Sequence, residues 1–423
     1  MSDGAAPGAS DLLRRAARPL VAVLPAWLVA RAIVIGAVVM AHLIVDRAHV
    51  VGPGAVHRAH QGLLGWDAGW YKAIAQYGYV ALGHQSLRFF PLVPLVTRAL
   101  AVLPGVSYGA ALVFLANLSS LVGTALLYVL VRREGGEALA RRSVWLLCLV
   151  PPAFVFVMGY AEGTLLVFTT ACFLAIRPAQ PLRTRTTVFW ATTAAEGPGA
   201  ALAETLVDES SPTTAVRPVT VAGWSAAAVF GFLAALTRPL GVLLGAAVAV
   251  EAVRWWRRSG GGERVASVVA TLAPVAGICV FLGWSAAAEG DFFRPLRVQT
   301  QSGHHGGLSD PIHTLIHDAS GLVHHHFGTA LHVPWVLLVV ALLVVCWWRL
   351  PASYGAFATA VVVVALSGTN LDSFERYALS AFPLVVAGAT LLTGPRMERA
   401  VLVLAAVGMG FYALLAFLNI LVP

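Results

Sequence analysis

The sequence predicts an all-α integral membrane fold, a multi-span helical bundle of about eleven transmembrane helices with an outer amphipathic helix in its first outer loop. Three observations lead there. Of the 423 residues 58% are hydrophobic and only 11% are charged, with a mean hydropathy of +0.79, whereas soluble chains carry roughly 25% charged residues. Apolar windows of roughly 17 or more residues, the length a spanning helix needs, recur along the whole chain. The basic residues collect in short stretches between those windows. A soluble domain is thereby excluded. The net charge of +8 reports arginines in cytoplasmic loops, so no nucleic-acid partner is expected.

Taken in order, residues 1–19 read as a cytoplasmic tail, with Arg14, Arg15 and Arg18 just before the first span, and residues 20–423 as one polytopic domain. No convincing small-residue cleavage site follows span 1, 20–45, which is therefore read as retained. Its Arg31 must face the bundle, because a lipid-facing charge costs several kcal/mol. Residues 46–106 form the first outer loop, in which the proline-interrupted run 88–104 is read as interfacial. Spans follow at 107–131, 143–158, 163–177, 221–236, 240–256, 265–286, 333–349, 352–368, 377–393 and 399–422. Residues 178–220 have no sustained periodicity and read as a disordered cytoplasmic insertion; 287–332 is a His-rich outer loop. With this threading, twice as many lysines and arginines fall on the cytoplasmic side as on the outer one.

The most informative stretch is 65–94, which holds the only lysine, Lys72, and Asp67 between Trp66 and Trp70. At helical period Trp66, Trp70 and Tyr77 share one side, Asp67, Tyr71 and Gly78 a neighbouring one, and Gly78 is a plausible stop. That describes a short amphipathic helix at the membrane surface, its indoles at headgroup level and its carboxylate facing a cavity. Other polar clusters fall on the same outer face: Tyr160 with Glu162, Thr237-Arg238-Pro239, Asp291 with Arg294 and Arg297, and Glu375-Arg376-Tyr377. A transporter would place ionisable groups at mid-depth. Opposite charges at the outer edge of a bundle suit a lipid-linked phosphate instead, with cations for the phosphate and a carboxylate for a hydroxyl.

Cys148, Cys172, Cys279 and Cys346 sit in apolar runs without metal-ligand spacing and read as core residues. His304, His305, His313, His317, His324, His325, His326 and His332 crowd one outer loop. Their clustering is irregular and no Cys joins them, so a solvated loop is expected rather than a metal site.

The motif WDAGWYKAIAQYGY with RFFPLVPL resembles the pattern of PIG-V-type mannosyltransferases, relatives of the enzyme that adds the second mannose in GPI-anchor assembly. PPAFVFVMGYAEGTLLVF, LTRPLG, GDFFRPLRVQTQ and FERYALSAFPL follow in the family's order, so the resemblance runs from about residue 24 to 390 apart from the 178–220 insertion. It implies a multi-span glycosyltransferase of the GT-C class that uses a polyprenyl-phosphate sugar, needs no cofactor, and acts on a glycolipid or glycan at the membrane. The family's essential first-loop carboxylate carries over to Asp67. Arginine's dominance over lysine suggests a GC-rich, actinobacterial-like source, hence a bacterial member in the plasma membrane with a cytoplasmic N-terminus; a eukaryotic one would sit in the endoplasmic reticulum.

On that reading Asp67 is the general base, Arg238, Arg376 and Lys72 face the phosphate, Glu162 holds an arginine or a sugar hydroxyl, and Trp66, Trp70, Tyr71 and Tyr160 stack on sugar or lipid. Asp291 joins them as a donor-binding candidate. Simpler roles exist for each: Asp67 as a helix N-terminal charge, Arg238 as part of a tight turn, Glu162 and Arg376 as a structural ion pair. A transporter of a lipid or metal ion and a non-catalytic scaffold are the competing functions.

Overall fold

The computed structural model describes residues 9–47, 52–177, 218–301, 307, 309–310, 312, 316, 332–368, 371 and 373–423. Residues 178–217 of the expected insertion, and His304, His305, His313, His317 and His324–His326 of the His-rich loop, lie outside the described residues. The described chain is helical and contains no strand. Five helices are long and apolar enough to cross a membrane, and five shorter apolar helices accompany them, so the protein is an integral membrane helical bundle.

The first helix, α1 (Ala9–Arg47), starts inside the segment read as a tail, because Leu, Arg and Ala there are strong helix formers. The first outer loop contributes three short helices, α2 (Pro53–Gln61), α3 (Asp67–Tyr77) and α4 (Leu92–Leu100). At nine residues α4 reaches about 14 Å, half of a hydrocarbon core. Then α5 (Tyr108–Leu149) is two helices joined at Gly136, which leaves the helical conformation at φ 82° and ψ 175° inside the basic stretch expected to be a loop, and Tyr128 before the break donates to Glu137 after it (2.7 Å). The Glu, Ala and Arg residues there favour helix, and only Gly136 breaks it. Pro151 and Pro152 end it earlier than expected. Downstream come α6 (Glu162–Ile176), α7 (Val221–Thr237), α8 (Leu244–Trp255), α9 (Gly261–Glu289) and α10 (Arg294–Gln299). The last five are α11 (Val333–Arg349), α12 (Ala352–Leu366), α13 (Phe374–Ser380), α14 (Phe382–Leu391) and α15 (Pro395–Phe417).

Small residues set the helix approaches, as expected where lipid supplies no hydrophobic drive between helices. A Cβ on Gly277 of α9 would stand 2.5 Å from the Phe232 carbonyl of α7, and one on Gly163 of α6 would stand 2.8 Å from the Ala116 carbonyl of α5. Arg31 of α1 faces inward: it donates to Asn117 Oδ1 (2.9 Å), the Phe156 carbonyl (3.1 Å) and Ser120 Oγ. Three of the cysteines are buried, whereas Cys279 is exposed on α9.

At the far end of α6 a buried ionic knot joins four helices. Arg177 pairs with Glu134 (2.6 Å) and Glu251 (2.7 Å), while Tyr354 donates to Glu134 (3.0 Å) and Ser353 to Glu251 (2.7 Å). Fifteen residues of α6, about 22 Å, separate this knot from Glu162, so the bundle is pinned at one end while polar groups gather at the other.

Candidate active site

Four connections between helices bring the second charged group together. The first is the entry to α3. Trp66 precedes it at φ 57°, a conformation that costs a non-glycine residue about 1–3 kcal/mol and persists only where the surroundings fix it. They do: the indole Nε1 donates to the Ala416 carbonyl (3.0 Å), and the Arg58 guanidinium lies 3.9 Å over the ring. The Asp67 N–H, one of the donors that a helix start leaves without an intrahelical acceptor, points at the Tyr160 hydroxyl (3.4 Å).

The second connection is the tight segment 157–161, after which Glu162 opens α6. The third is the turn from α7 into Pro239–Leu243, which aims Arg238 inward. It requires glycine at 241, where any Cβ would overlap the Ala234 carbonyl. The fourth is α13, entered through Ser373 at φ 65° and carrying Arg376.

Their side chains form a line of alternating charge. Asp67 Oδ2 accepts from Arg376 Nη1 (2.5 Å), Arg376 Nε lies 3.5 Å from Glu162 Oε1, and the same oxygen accepts from Arg238 Nη1. Glu162 is 2% exposed, Arg376 6% and Arg238 9%, so these charges tolerate burial only as a paired set. Asp67 stands at the open end with 27% of its side chain exposed.

That end opens into a cavity of about 310 Å³, within the range of small-ligand sites. Asp67, Tyr71, Arg88, Arg238, Arg376 and Gln299 line its polar part; Phe89, Leu240, Leu296, Val364 and Ala365 line an apolar wall. Three arginines against Asp67 and Glu162 leave this group one positive charge in excess. Burial alone would raise the pKa of Asp67, but the charges of Arg376, Arg238 and Arg88 and the Arg376 hydrogen bond outweigh it and hold the carboxyl below its usual range. Asp67 is therefore ionised near neutrality.

No protein-family model matches the chain, and no curated protein matches it. Among solved structures it is similar to ArnT from Cupriavidus metallidurans bound to undecaprenyl phosphate, at 15% identity and a TM-score of 0.45 over 92% of this chain and 76% of that one. It is also similar to the oligosaccharyltransferase of Archaeoglobus fulgidus tethered to an acceptor peptide, at 13% identity and a TM-score of 0.45 over 96% of this chain and 56% of that one. A third is AglB from the same organism with an inhibitory peptide and a dolichol-phosphate, at 12% identity and a TM-score of 0.39 over 94% and 55%. The chain spans little more than half the length of these two archaeal proteins.

Of the residues singled out from sequence, Asp67, Tyr71, Arg238 and Arg376 share the cavity wall and Glu162 lies directly behind it. Tyr160 is 1% exposed with Arg376 5.3 Å above its ring, so it supports the arginine. Trp70 stacks on Phe89 (5.8 Å), and Trp66 is occupied by Arg58 and Ala416. Lys72 and Asp291 do not line the cavity. Asp291 pairs with Arg297 (2.9 Å) and Arg294 (3.6 Å) and accepts from the Phe293 N–H (3.0 Å). Arg88 lines the cavity and escaped sequence reasoning, while Tyr377, beside it in the lining, belongs to a polar cluster already singled out. Arg88 belongs to the RFFPLVPL motif, which was the available signal; Gln299 fixes it by donating to its carbonyl (3.0 Å). Among the described residues no group of three or more His, Cys, Asp or Glu could hold a metal ion. His332 is buried and bonded to Glu375 (2.7 Å).

Proposed function

We propose that this protein is a membrane glycosyltransferase of the PIG-V type. It transfers a hexose, mannose, from a polyprenyl-phosphate donor to a glycolipid or glycan acceptor on the outer face of the membrane, with inversion. The observation that carries the reading is the line Asp67–Arg376–Glu162–Arg238 at the polar end of a cavity with an apolar wall. The ordered motifs from WDAGWY to FERYALSAFPL support it independently.

In the transfer step the acceptor oxygen bonds to the anomeric carbon as the bond from that carbon to the phosphate oxygen breaks. The electron pair leaves with the phosphate, and the acceptor proton passes to the Asp67 carboxylate, a role typically worth about 10²–10⁴ in rate. The leaving phosphate is a stabilised anion, so no second carboxylic acid has to protonate it. Arg238 and Arg376 are the cations for that anion. A phosphodiester carries one negative charge, which matches the excess of one positive charge among the five ionised groups.

A pH prediction follows from the same charges. A depressed pKa keeps Asp67 ionised but makes it a weak base. A bound phosphate offsets Arg376 and Arg238, and so raises the Asp67 pKa towards effective proton transfer. The deprotonated form is the active one, so activity falls as pH drops through the relevant pKa. The acidic limb of kcat/KM, which reports free enzyme, is expected below the usual carboxylate range, and the limb of kcat at higher pH. Coincident limbs would remove the coupling.

The reading is tested with purified protein in lipid nanodiscs, polyprenyl-phosphate mannose and an extract of membrane glycolipids. A product one hexose longer, with the anomeric configuration opposite to the donor's, is expected. Uptake of labelled lipid into proteoliposomes without any such product would replace the transferase with a transporter.

A further inference from the structure

Tyr71 lies one helical turn beyond Asp67 on α3, so the two side chains project on the same face. Its ring meets Phe89 edge-on at 5.1 Å, and the residue is 4% exposed. Packing therefore uses the faces and edges of the ring and leaves no open face on which a sugar could stack. The hydroxyl is different: the side chain lines the cavity beside Asp67, Arg238 and Arg376, and no acceptor among the described residues takes its O–H. A buried tyrosine normally places its O–H on a protein acceptor. Here Arg238 and Arg376 share the cavity wall with the phenol. Burial holds the phenol pKa above its usual value, so the hydroxyl keeps its proton and can donate.

We propose that the Tyr71 hydroxyl completes an anion cradle with Arg238 and Arg376, donating a hydrogen bond to a phosphate oxygen of the lipid-linked donor. This rests on the transferase reading and adds a neutral donor to its cations. Charge grows on that oxygen as the sugar departs, so the bond is stronger in the transition state than in the bound donor and affects kcat more than KM. Asp67 and Tyr71, one turn apart, thereby serve the two ends of the same displacement.

Tyr71→Phe removes the hydroxyl and keeps the Phe89 contact. In full-length protein in nanodiscs kcat is expected to fall about 10- to 100-fold, with KM changed less and thermal stability unaltered. A kcat within twofold of wild type would overturn the proposal. Tyr71→Leu, which also loses the ring, separates the roles: it lowers stability as well as kcat. Equilibrium binding of polyprenyl phosphate keeps the test independent of turnover. If wild type binds the lipid but transfers nothing, the transferase reading fails, while weaker binding by Tyr71→Phe still supports the cradle and equal binding overturns it. If wild type binds no polyprenyl phosphate, both fall.

Discussion

Asp67→Asn is expected to lower sugar transfer by about 10²–10⁴-fold while the protein inserts, purifies and melts as wild type does. The substitution keeps the shape of the side chain and an oxygen for Arg376, but an amide cannot take the acceptor proton. Stability is spared for two structural reasons. Asp67 is the most exposed member of the charged line, and Arg376 keeps Glu162 at 3.5 Å as a second counter-charge. Initial rates from a radiolabelled donor, beside thermal unfolding in the same detergent, check both halves. Undiminished transfer would end the case for Asp67 as the base. Equal loss of activity and stability would make it a structural charge.

That Asp67 could be picked out from sequence reflects local chemistry. A carboxylate between two indoles in an outer loop has few ordinary roles, and the helix that carries it ends at Gly78, where capping rules place a stop. Arg31 was legible for a similar reason, because an intramembrane charge must turn inward. The fold class follows from hydropathy alone. What sequence could not supply was the route by which distant segments meet. Arg88 looks like an ordinary interfacial arginine until Gln299, far along the chain, holds its backbone beside Asp67. Trp66 reads as a membrane anchor because helical periodicity carries no information about a positive φ, and its actual task is to fix the entry of α3. Asp291 had the composition of a site residue, but the arginines of the short helix that follows it, Arg294 and Arg297 of α10, already neutralise it. The break at Gly136, by contrast, falls inside the basic stretch read as a loop, with good helix formers carrying helix up to it on both sides.

Glu162→Gln should have the largest combined effect. Glu162 is shared by two buried guanidiniums, those of Arg238 and Arg376, and it is itself 2% exposed. Removing its charge leaves both arginines to Asp67 alone. Breaking a buried pair by deleting one partner costs about 3–5 kcal/mol, because the remaining charge stays desolvated. The variant should therefore unfold at clearly lower temperature and lose transfer activity, in contrast to Asp67→Asn, which loses activity only. The two causes can be separated with a ligand. A phosphate anion in the cavity would replace the missing carboxylate beside Arg238 and Arg376, so saturating polyprenyl phosphate should raise the melting temperature of Glu162→Gln more than that of wild type. If the variant melts as wild type does, the alternating line is not what holds the two arginines in place. If polyprenyl phosphate stabilises both proteins equally, the anion does not sit between those arginines.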